Sequence, residues 1–520
     1  MENLHWADQF ASKVIREKGD KGSYTVAAGI TPSGTIHIGN FREVITVDLI
    51  AKALKYKGKD VRFIYSWDDC DVFRKVPKNL PKQDLLKEYL RKPLFLLPDV
   101  FGELENYAAH NKAEFEKDLP LVNVKPKFIH QHKKYIAHDY AEGIKTALEK
   151  TEKIKEILNE FRKEPLADDW LPVFAFCGKC STDKITKLTY ESGYELSYEC
   201  ACGHKQTIDF RKEGIVTLKW RVDWPMRWDY EKVDFEPAGK DHFAAGGSRT
   251  TGESIQKEIY ESEPPFGFAY EWIAMKGGKQ FASSKGDVIT LAEMLSVYQP
   301  EIVRYLFAGT RPNAVFEISF DLDIFKIYED FDKCERIYFK EQEAKNEKEY
   351  HNQKRIYELS AVGEITKQMP MQPSFRHMKN IVQICSNDMD KIVSYLEPKN
   401  EIDKKRIIVR ANCAIAWLEK YAAEDMKFTV QSELPTVELS EDEKNALIQL
   451  SGVLLEKKFE DNELFNEFYN IIKANNLNTG DFFKAAYSVI IDKERGPKLA
   501  PFIIEIGQKQ ISELLAQLKT

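Results

Sequence analysis

No stretch of this 520-residue chain approaches the roughly 18 consecutive apolar residues that a membrane-spanning helix needs, which excludes such a helix. The opening residues, MENLHWADQF, lack the basic and apolar regions of a secretory signal, so a cytoplasmic protein with no membrane partner is expected. Cysteine is scarce: eight residues, four of them clustered, suit metal ligation in a reducing compartment better than a disulfide framework. There is no excess of positive charge. At a net charge of -7, any nucleic-acid surface must be a local basic patch on an acidic protein. Internal repeats and low-complexity tails are also absent. What remains is 43% hydrophobic and 31% charged, the balance of a globular chain, at a length that one core rarely organises.

The first segment alternates strand and helix signals. YTVAAGI is a short apolar run ending in glycine, NFREVITVDLIAKALKYKG has helical periodicity, and DVRFIYSWDD reads as a strand ending in acids. Strand, helix and strand in that order predict a parallel βαβ unit, with ligands beyond the carboxyl ends of the strands. YIAHDYAEGIKTALEKTEKIKEILNEF predicts one long helix whose stripe runs from Ile136 through Tyr140, Ile144, Leu148, Ile154 and Leu158 to Phe161. Between Phe174 and Asp209 the texture changes to cysteines, turns and short strands. GIVTLKWRVDW then reads as a strand returning to the first domain, and everything after about Asp321 is helical except a weak extended piece from Phe428 to Leu439. The fold class expected is α/β: a Rossmann-like parallel-sheet domain with a helical and metal-bearing insertion, followed by an all-helical domain. The boundaries fall at 1–90, 91–212, 213–320 and 321–520.

TPSGTIHIGN sits at the seam between the first strand and helix. A helix start carries free N–H groups that can hold a phosphate; Gly34 and Gly39 allow close backbone approach, Pro32 fixes a turn, and His37 and Asn40 add donors one turn apart. A structural glycine turn with a surface histidine fits the same residues. The stretch is not a P-loop, because Asn40 and Phe41 stand where lysine and serine or threonine belong, nor is it a dinucleotide fingerprint.

His37, Ile38, Gly39 and Asn40 resemble the His-Ile-Gly-His signature of the class I aminoacyl-tRNA synthetases, with asparagine in the last place. Ser283, Ser284, Lys285 and Gly286 resemble the end of its second signature, while Gln280, Phe281 and Ala282 depart from it. With SWDDCDVFRKVP and GKDHFAAGGSRTTG, the wording is similar to the class I form of lysyl-tRNA synthetase across roughly Tyr24 to Gly309.

The resemblance implies that lysine and ATP, with Mg²⁺, give lysyl-adenylate and pyrophosphate, and that the lysyl group then passes to the terminal adenosine of tRNA(Lys). His37, Asn40 and Lys285 would act on the phosphates. Pro32, Gly34, Gly39, Asp241, Gly246, Gly247, Ser283, Ser284 and Lys285 would bind ATP, and Lys276 or Lys279 could replace the charge missing at Gln280. Gly29, Thr31, Asp68, Trp220, His242 and Tyr270 would bind lysine, the aromatic faces sheathing its methylenes. Asp68, Asp69 and Glu271 are alternative partners for its ammonium groups. Gly246 and Gly247 precede a helix that Ser248 or Thr251 would cap. The rival readings are a glutamyl- or glutaminyl-type synthetase, a non-catalytic synthetase-like RNA-binding protein and a small-substrate nucleotidyl transferase.

The cysteine cluster stands on its own spacing. Cys177 and Cys180 form Cys-x₂-Cys, and Cys200 and Cys202 form Cys-x-Cys after 19 intervening residues. Four thiolates enclose zinc tetrahedrally and leave no open position, the mark of a structural site, and His204 is an alternative ligand for the shorter pair. Cys70, Cys334, Cys385 and Cys413 stand singly and read as core residues. KPKFIHQHKKY mixes lysines with Phe128, His130, His132 and Tyr135, a backbone and stacking surface for RNA or a solvated loop. The helical domain would read the anticodon.

Overall fold

The computed structural model describes residues 5–78, 80–276, 279–280 and 288–519, and of Met275, Lys279, Gln280 and Phe316 the backbone only. The described chain forms two compact units. The first comprises residues 1–295, 300–319 and 334–365; the second comprises 296–299, 320–333 and 366–520.

The core of the first unit is a parallel sheet. β1 (Ser23–Ile30) and β2 (Asp60–Trp67) pair in parallel through α2 (Ile38–Tyr56), the crossover expected from the sequence, and α1 (Trp6–Lys18) precedes them. α2 buries Phe41, Val44, Ile45, Leu49 and Ile50 completely, so its apolar positions explain where it packs. Its buried Asp48 is met by Arg304 at 2.8 Å and Lys52 at 2.6 Å, an ion cluster within the helix packing. β3 (Lys127–His130) adds to β2, again in parallel. On the other side of β1, Val26 bridges Phe235 and Phe235 bridges Phe266, both in parallel, and the short strands Ala238–Gly239 and Ala269–Tyr270 continue that pairing. The strand order thus reverses at β1, and an open crevice lies beyond the carboxyl ends of the strands.

The sequence expectations fail at four places. The long helix is three: Gln131–Ile136, Ala141–Glu149 and Thr151–Asn159. His138 breaks the first junction with φ +62°, and Ile136 and Phe161, the ends of the predicted stripe, face solvent. GIVTLKWRVDW is a strand only over Val216–Leu218; Trp220 opens a helix that runs to Glu231. KPKFIHQHKKY is largely a structural segment rather than a surface loop, because Lys127–His130 is β3 and Phe128 stacks on Trp67. Residues 428–439 form no strand; Phe428 instead joins the helical core.

The cysteine-bearing module is an antiparallel sheet of Ile185–Ser192, Glu195–Cys200 and Lys205–Asp209. Its base is closed by Val173–Ala175 pairing antiparallel with Val216–Leu218. Arg91 grips Asp183 through two hydrogen bonds of 2.8 and 2.5 Å, tying the module to the segment that follows β2.

The second unit is helical. Its C-terminal core gathers Leu447, Leu450, Leu464, Phe468, Phe482, Ile490, Ile503 and Leu515. Ser374, Asp388, Asn400, Ser440 and Asn478 cap the helices that follow them, each accepting a backbone N–H. A fully buried Arg410 is neutralised by Asp332 at 3.0 and 2.8 Å and by the Pro373 carbonyl at 2.7 Å. Cys334, Cys385 and Cys413 are buried, as expected of core residues, and Cys70 is half-buried.

Candidate active site and thiol cluster

A cavity of about 70 Å³ opens where the strand order reverses. Its walls include Gly29 from β1, Ser66 and Asp68 from the end of β2, Glu43 from α2, Glu236, and the helix Trp220–Glu231. On that helix Trp220, Trp224 and Trp228 recur every fourth residue and so share one face, with Trp220 stacked on Trp224 at 5.0 Å. His242 meets Trp224 edge-on and contacts the Ser248 hydroxyl through Nδ1 at 2.6 Å.

Two carboxylates define the inner end. The Gly29 N–H donates to Glu43 Oε1 at 2.9 Å, and the Tyr270 hydroxyl donates to Oε2 at 2.6 Å. Burial pushes the Glu43 carboxyl up to about 8, and the nearby Glu236 and Asp68 add to the shift. Glu236, raised by burial, accepts from the Trp228 indole at 2.5 Å. Among the described residues Glu43 has no cationic partner, so the cavity holds an acid in want of a cation.

The three acids weighed for an ammonium separate cleanly. Asp68 lines the cavity, but Arg227 holds it at 2.5 Å, and Arg227 also meets Asp223 at 3.2 Å. Asp69 is fully buried elsewhere, bound by Lys112 at 3.0 Å and by His132 Nδ1 at 2.7 Å; burial alone would raise its carboxyl, but hydrogen bonds from His130 and His132 together with the Lys112 charge hold it well below the usual range. Glu271 pairs with Lys240 at 2.8 Å. Of the other residues expected at lysine, Gly29, Trp220 and His242 line the cavity, and Tyr270 reaches it through Glu43. Thr31 lines a neighbouring cavity and donates to Asp71.

Sequence reading missed Glu43, Glu236 and Arg227. The available signal was Glu43 itself, an acid one turn beyond the start of the helix that carries His37 and Asn40.

Gly29 is required by close approach: a Cβ there would lie 2.8 Å from the Ser66 carbonyl oxygen. Gly29→Ala should therefore push β1 from β2 and lower both the melting temperature and substrate affinity, by roughly 1–3 kcal/mol in stability; an unchanged melting curve would contradict this.

At the start of α2, Asn40 Oδ1 accepts the His37 N–H at 3.1 Å, leaving its NH₂ as a donor. The Ile38 N–H donates to the Ile289 carbonyl at 2.8 Å, and those of Asn40 and Phe41 return to the His37 carbonyl. Most first-turn amides are thus engaged, which shifts any anion binding toward the His37 and Asn40 side chains and Gly39. The Ile38 contact also fixes the first signature beside the segment that follows the second. Pro32 and the adjoining turn are held from behind, since Asn111 donates to the Pro32 carbonyl at 3.1 Å and Tyr107 to the Ser33 carbonyl at 2.8 Å; Gly34 follows in the same turn. Ser283, Ser284 and Lys285 lie outside the described residues.

Asp241 and Gly246 lie in the turn before the helix Ser248–Glu258, whose N-cap is Gly247. Gly246 has φ +70°, and a Cβ on Gly247 would lie 2.4 Å from the His242 carbonyl oxygen, so the turn requires both glycines. The expected caps do not form. Ser248 bonds His242, and Thr251 donates back to the Gly247 carbonyl at 3.0 Å.

The four clustered thiols converge, with all Sγ atoms within 4.8 Å of one another. Cys177 to Cys202 is 3.7 Å and Cys180 to Cys200 is 3.6 Å. A tetrahedron with metal–sulfur bonds of about 2.3 Å has edges of about 3.8 Å, so the donor set fits a tetrahedral metal ion. His204 is outside this group; its Nε2 lies 3.2 Å from Gln206 Oε1.

Residues 4–363 match the family model described as tRNA synthetases class I (K). The lysine–tRNA ligase of Borreliella burgdorferi is 48% identical over 522 residues, covering 99% of this chain and 100% of that protein. That of Borrelia garinii is 48% identical with the same coverage, and that of Treponema pallidum is 44% identical, covering 99% of each. With the first signature at the start of α2, an acid-ended cavity at the reversal of the strand order and these relatives, the chain belongs to the class I lysyl-tRNA synthetase family.

Proposed function

We propose that the chain activates L-lysine with ATP and transfers it to the 3′-terminal adenosine of tRNA(Lys). A carboxylate oxygen of lysine attacks the α-phosphorus of ATP, and pyrophosphate leaves with the electron pair of the broken P–O bond. The adenosine hydroxyl oxygen then attacks the lysyl carbonyl carbon; the mixed anhydride breaks, AMP leaves with the electron pair, and the hydroxyl proton goes to its phosphate. Glu43, oriented by Gly29 and Tyr270, anchors a lysine ammonium, and the tryptophan face sheathes the methylenes. His37 and Asn40 donate to phosphate oxygens. Lys285, Ser283 and Ser284 meet the departing pyrophosphate, while Asp241, Gly246 and Gly247 approach the nucleoside. Mg²⁺ carried by the ATP would supply charge neutralisation at its phosphates. The thiol cluster holds structural Zn²⁺ through Cys177, Cys180, Cys200 and Cys202.

Residues 1–90 and 213–320 form the catalytic halves, 91–212 the acceptor-end module and 321–520 the anticodon-binding region in this reading. No described helix is long and apolar enough to cross a membrane.

The observation that carries the proposal is the carboxylate-ended cavity, in which Glu43 has no cationic partner among the described residues while the lining guanidinium of Arg227 is taken up by Asp68 and Asp223. It suits a diamine substrate and opposes glutamate, whose side-chain acid would meet Glu43 and Glu236. An amino-acid panel in ATP–pyrophosphate exchange, run with tRNA(Lys) present, tests it: lysine alone should stimulate exchange, and stimulation by glutamate or by nothing would refute it. Lys285→Ala should slow adenylate formation at saturating ATP by about 10²-fold while leaving lysine affinity nearly intact; an unchanged pre-steady-state rate would remove Lys285 from the chemistry.

A further inference from the structure

The carboxyls of Glu43, Asp68, Glu231 and Glu236 all line the cavity of about 70 Å³. Asp68 and Glu231 are neutralised within the protein, the first by Arg227 and the second by Arg62. Glu43 and Glu236 are held by neutral donors: the Gly29 amide and the Tyr270 hydroxyl for one, the Trp228 indole for the other. Neither makes an ion pair among the described residues. Buried Arg249 acts on Glu236 only from a distance, because its guanidinium pairs with Glu253 at 2.8 Å and donates to the Glu236 and Pro265 backbone carbonyls. Burial raises both carboxyls, as it must where no cation offsets the loss of water. Two buried acids without a cation suit a ligand with two cations, and lysine has two ammonium groups.

The two acids lie at different depths. Glu43 meets Gly29 near the carboxyl end of β1 and stands one turn along α2 from Asn40. Glu236 follows Phe235, which bridges Val26 and accepts the Ala27 N–H at 2.8 Å. Ala27 precedes Gly29 by two positions in the strand, so Glu236 lies about 7 Å further from the strand ends, a separation that the four-methylene stem of lysine spans. The tryptophan row leads the same way, from exposed Trp220 to buried Trp228, whose indole is on Glu236. In lysine the α-ammonium adjoins the reacting carboxylate and stays beside the phosphates, whereas the ε-ammonium reaches deepest. We propose that Glu236 determines the specificity for lysine by receiving the ε-ammonium, while Glu43 receives the α-ammonium. The assignment rests on the lysine-activation reading above. It makes Glu43 the holder of a group common to all amino acids and Glu236 the reader of the side chain.

The test compares lysine with 6-hydroxynorleucine, which keeps the α-ammonium and carboxylate but carries a neutral hydroxyl in place of the ε-ammonium. Dissociation constants are measured by calorimetry on the full chain, with tRNA(Lys) and a non-hydrolysable ATP analogue present. The unaltered protein should prefer lysine by about 10²-fold or more. Glu236→Gln should cut that preference to within about threefold, through loss of lysine affinity alone. Glu43→Gln should weaken both ligands by a similar factor and leave the preference in place. The preference is a ratio within one protein, so a reduced folded fraction does not alter it. Should Glu236→Gln fail to fold, Glu236→Asp takes its place, and its shorter carboxylate should reduce the preference about tenfold. An unchanged preference in the folded variant overturns the proposal, and so does a preference lost in Glu43→Gln instead. In either case, if the unaltered protein binds lysine, only this assignment falls; if it does not bind lysine, the lysine-activation reading falls with it.

Discussion

Glu43→Gln should lower kcat/KM for lysine by about 10²- to 10⁴-fold, since it removes one partner of a buried charge pair while keeping the shape of the site. The same substitution should stabilise the empty protein at alkaline pH. In the folded chain burial lifts the Glu43 carboxyl from its ordinary 4.5 to about 8. A raised folded-state value contributes stability that is fully present below 4.5 and is lost as pH rises through about 8. Glutamine cannot ionise, so at pH 9 the variant should unfold with a free energy higher by something of the order of 4 kcal/mol, with little difference near pH 4.5. Lysine binding needs the carboxylate, so KM for lysine should fall in the unaltered protein between pH 6.5 and 8.5 and stay flat in Glu43→Gln. Parallel pH profiles in the two proteins would remove Glu43 from the lysine site.

Cys180→Ser should reduce bound zinc from about one ion per chain to nearly none, because three thiolates no longer enclose the ion. The sheet Ile185–Ser192, Glu195–Cys200 and Lys205–Asp209 depends on that closure, as its strands leave many side chains exposed. Hydrogen exchange should therefore rise across this module on metal loss. β1, β2 and α2 should keep their protection, being held by their own core. The Arg91–Asp183 pair gives a local reporter: opening of the module should also loosen the segment between Phe73 and Lys92. Full metal retention in Cys180→Ser would refute the ligand assignment, and His204→Ala should leave the metal in place because His204 faces Gln206.

The βαβ start of the chain was legible because its periods are local. YTVAAGI and DVRFIYSW form β1 and β2, and the helical period between them forms α2 with its apolar face buried. The four thiols were legible for a similar reason, since paired short spacings leave few other arrangements. Trp220 was misread as a strand residue: TLKWRVDW is rich in β-branched and aromatic types, and the four-residue recurrence of Trp220, Trp224 and Trp228 was the stronger signal. The long helix failed because apolar spacing continues across breaks that only backbone conformation reveals, as at His138.

By itself the sequence determined the α/β class, the metal-binding thiols and the two signatures, all of which depend on residue type and short spacing. Tertiary structure alone decided which acid faces the cavity. Asp68 and Asp69 are neighbours at the end of β2, yet one lines the cavity beside Arg227 and the other is buried against Lys112 and His132. Glu43 meets Tyr270 across 227 residues of sequence. The ionisation of a carboxyl is set by the burial and charges around it, and those come from segments far apart in the chain.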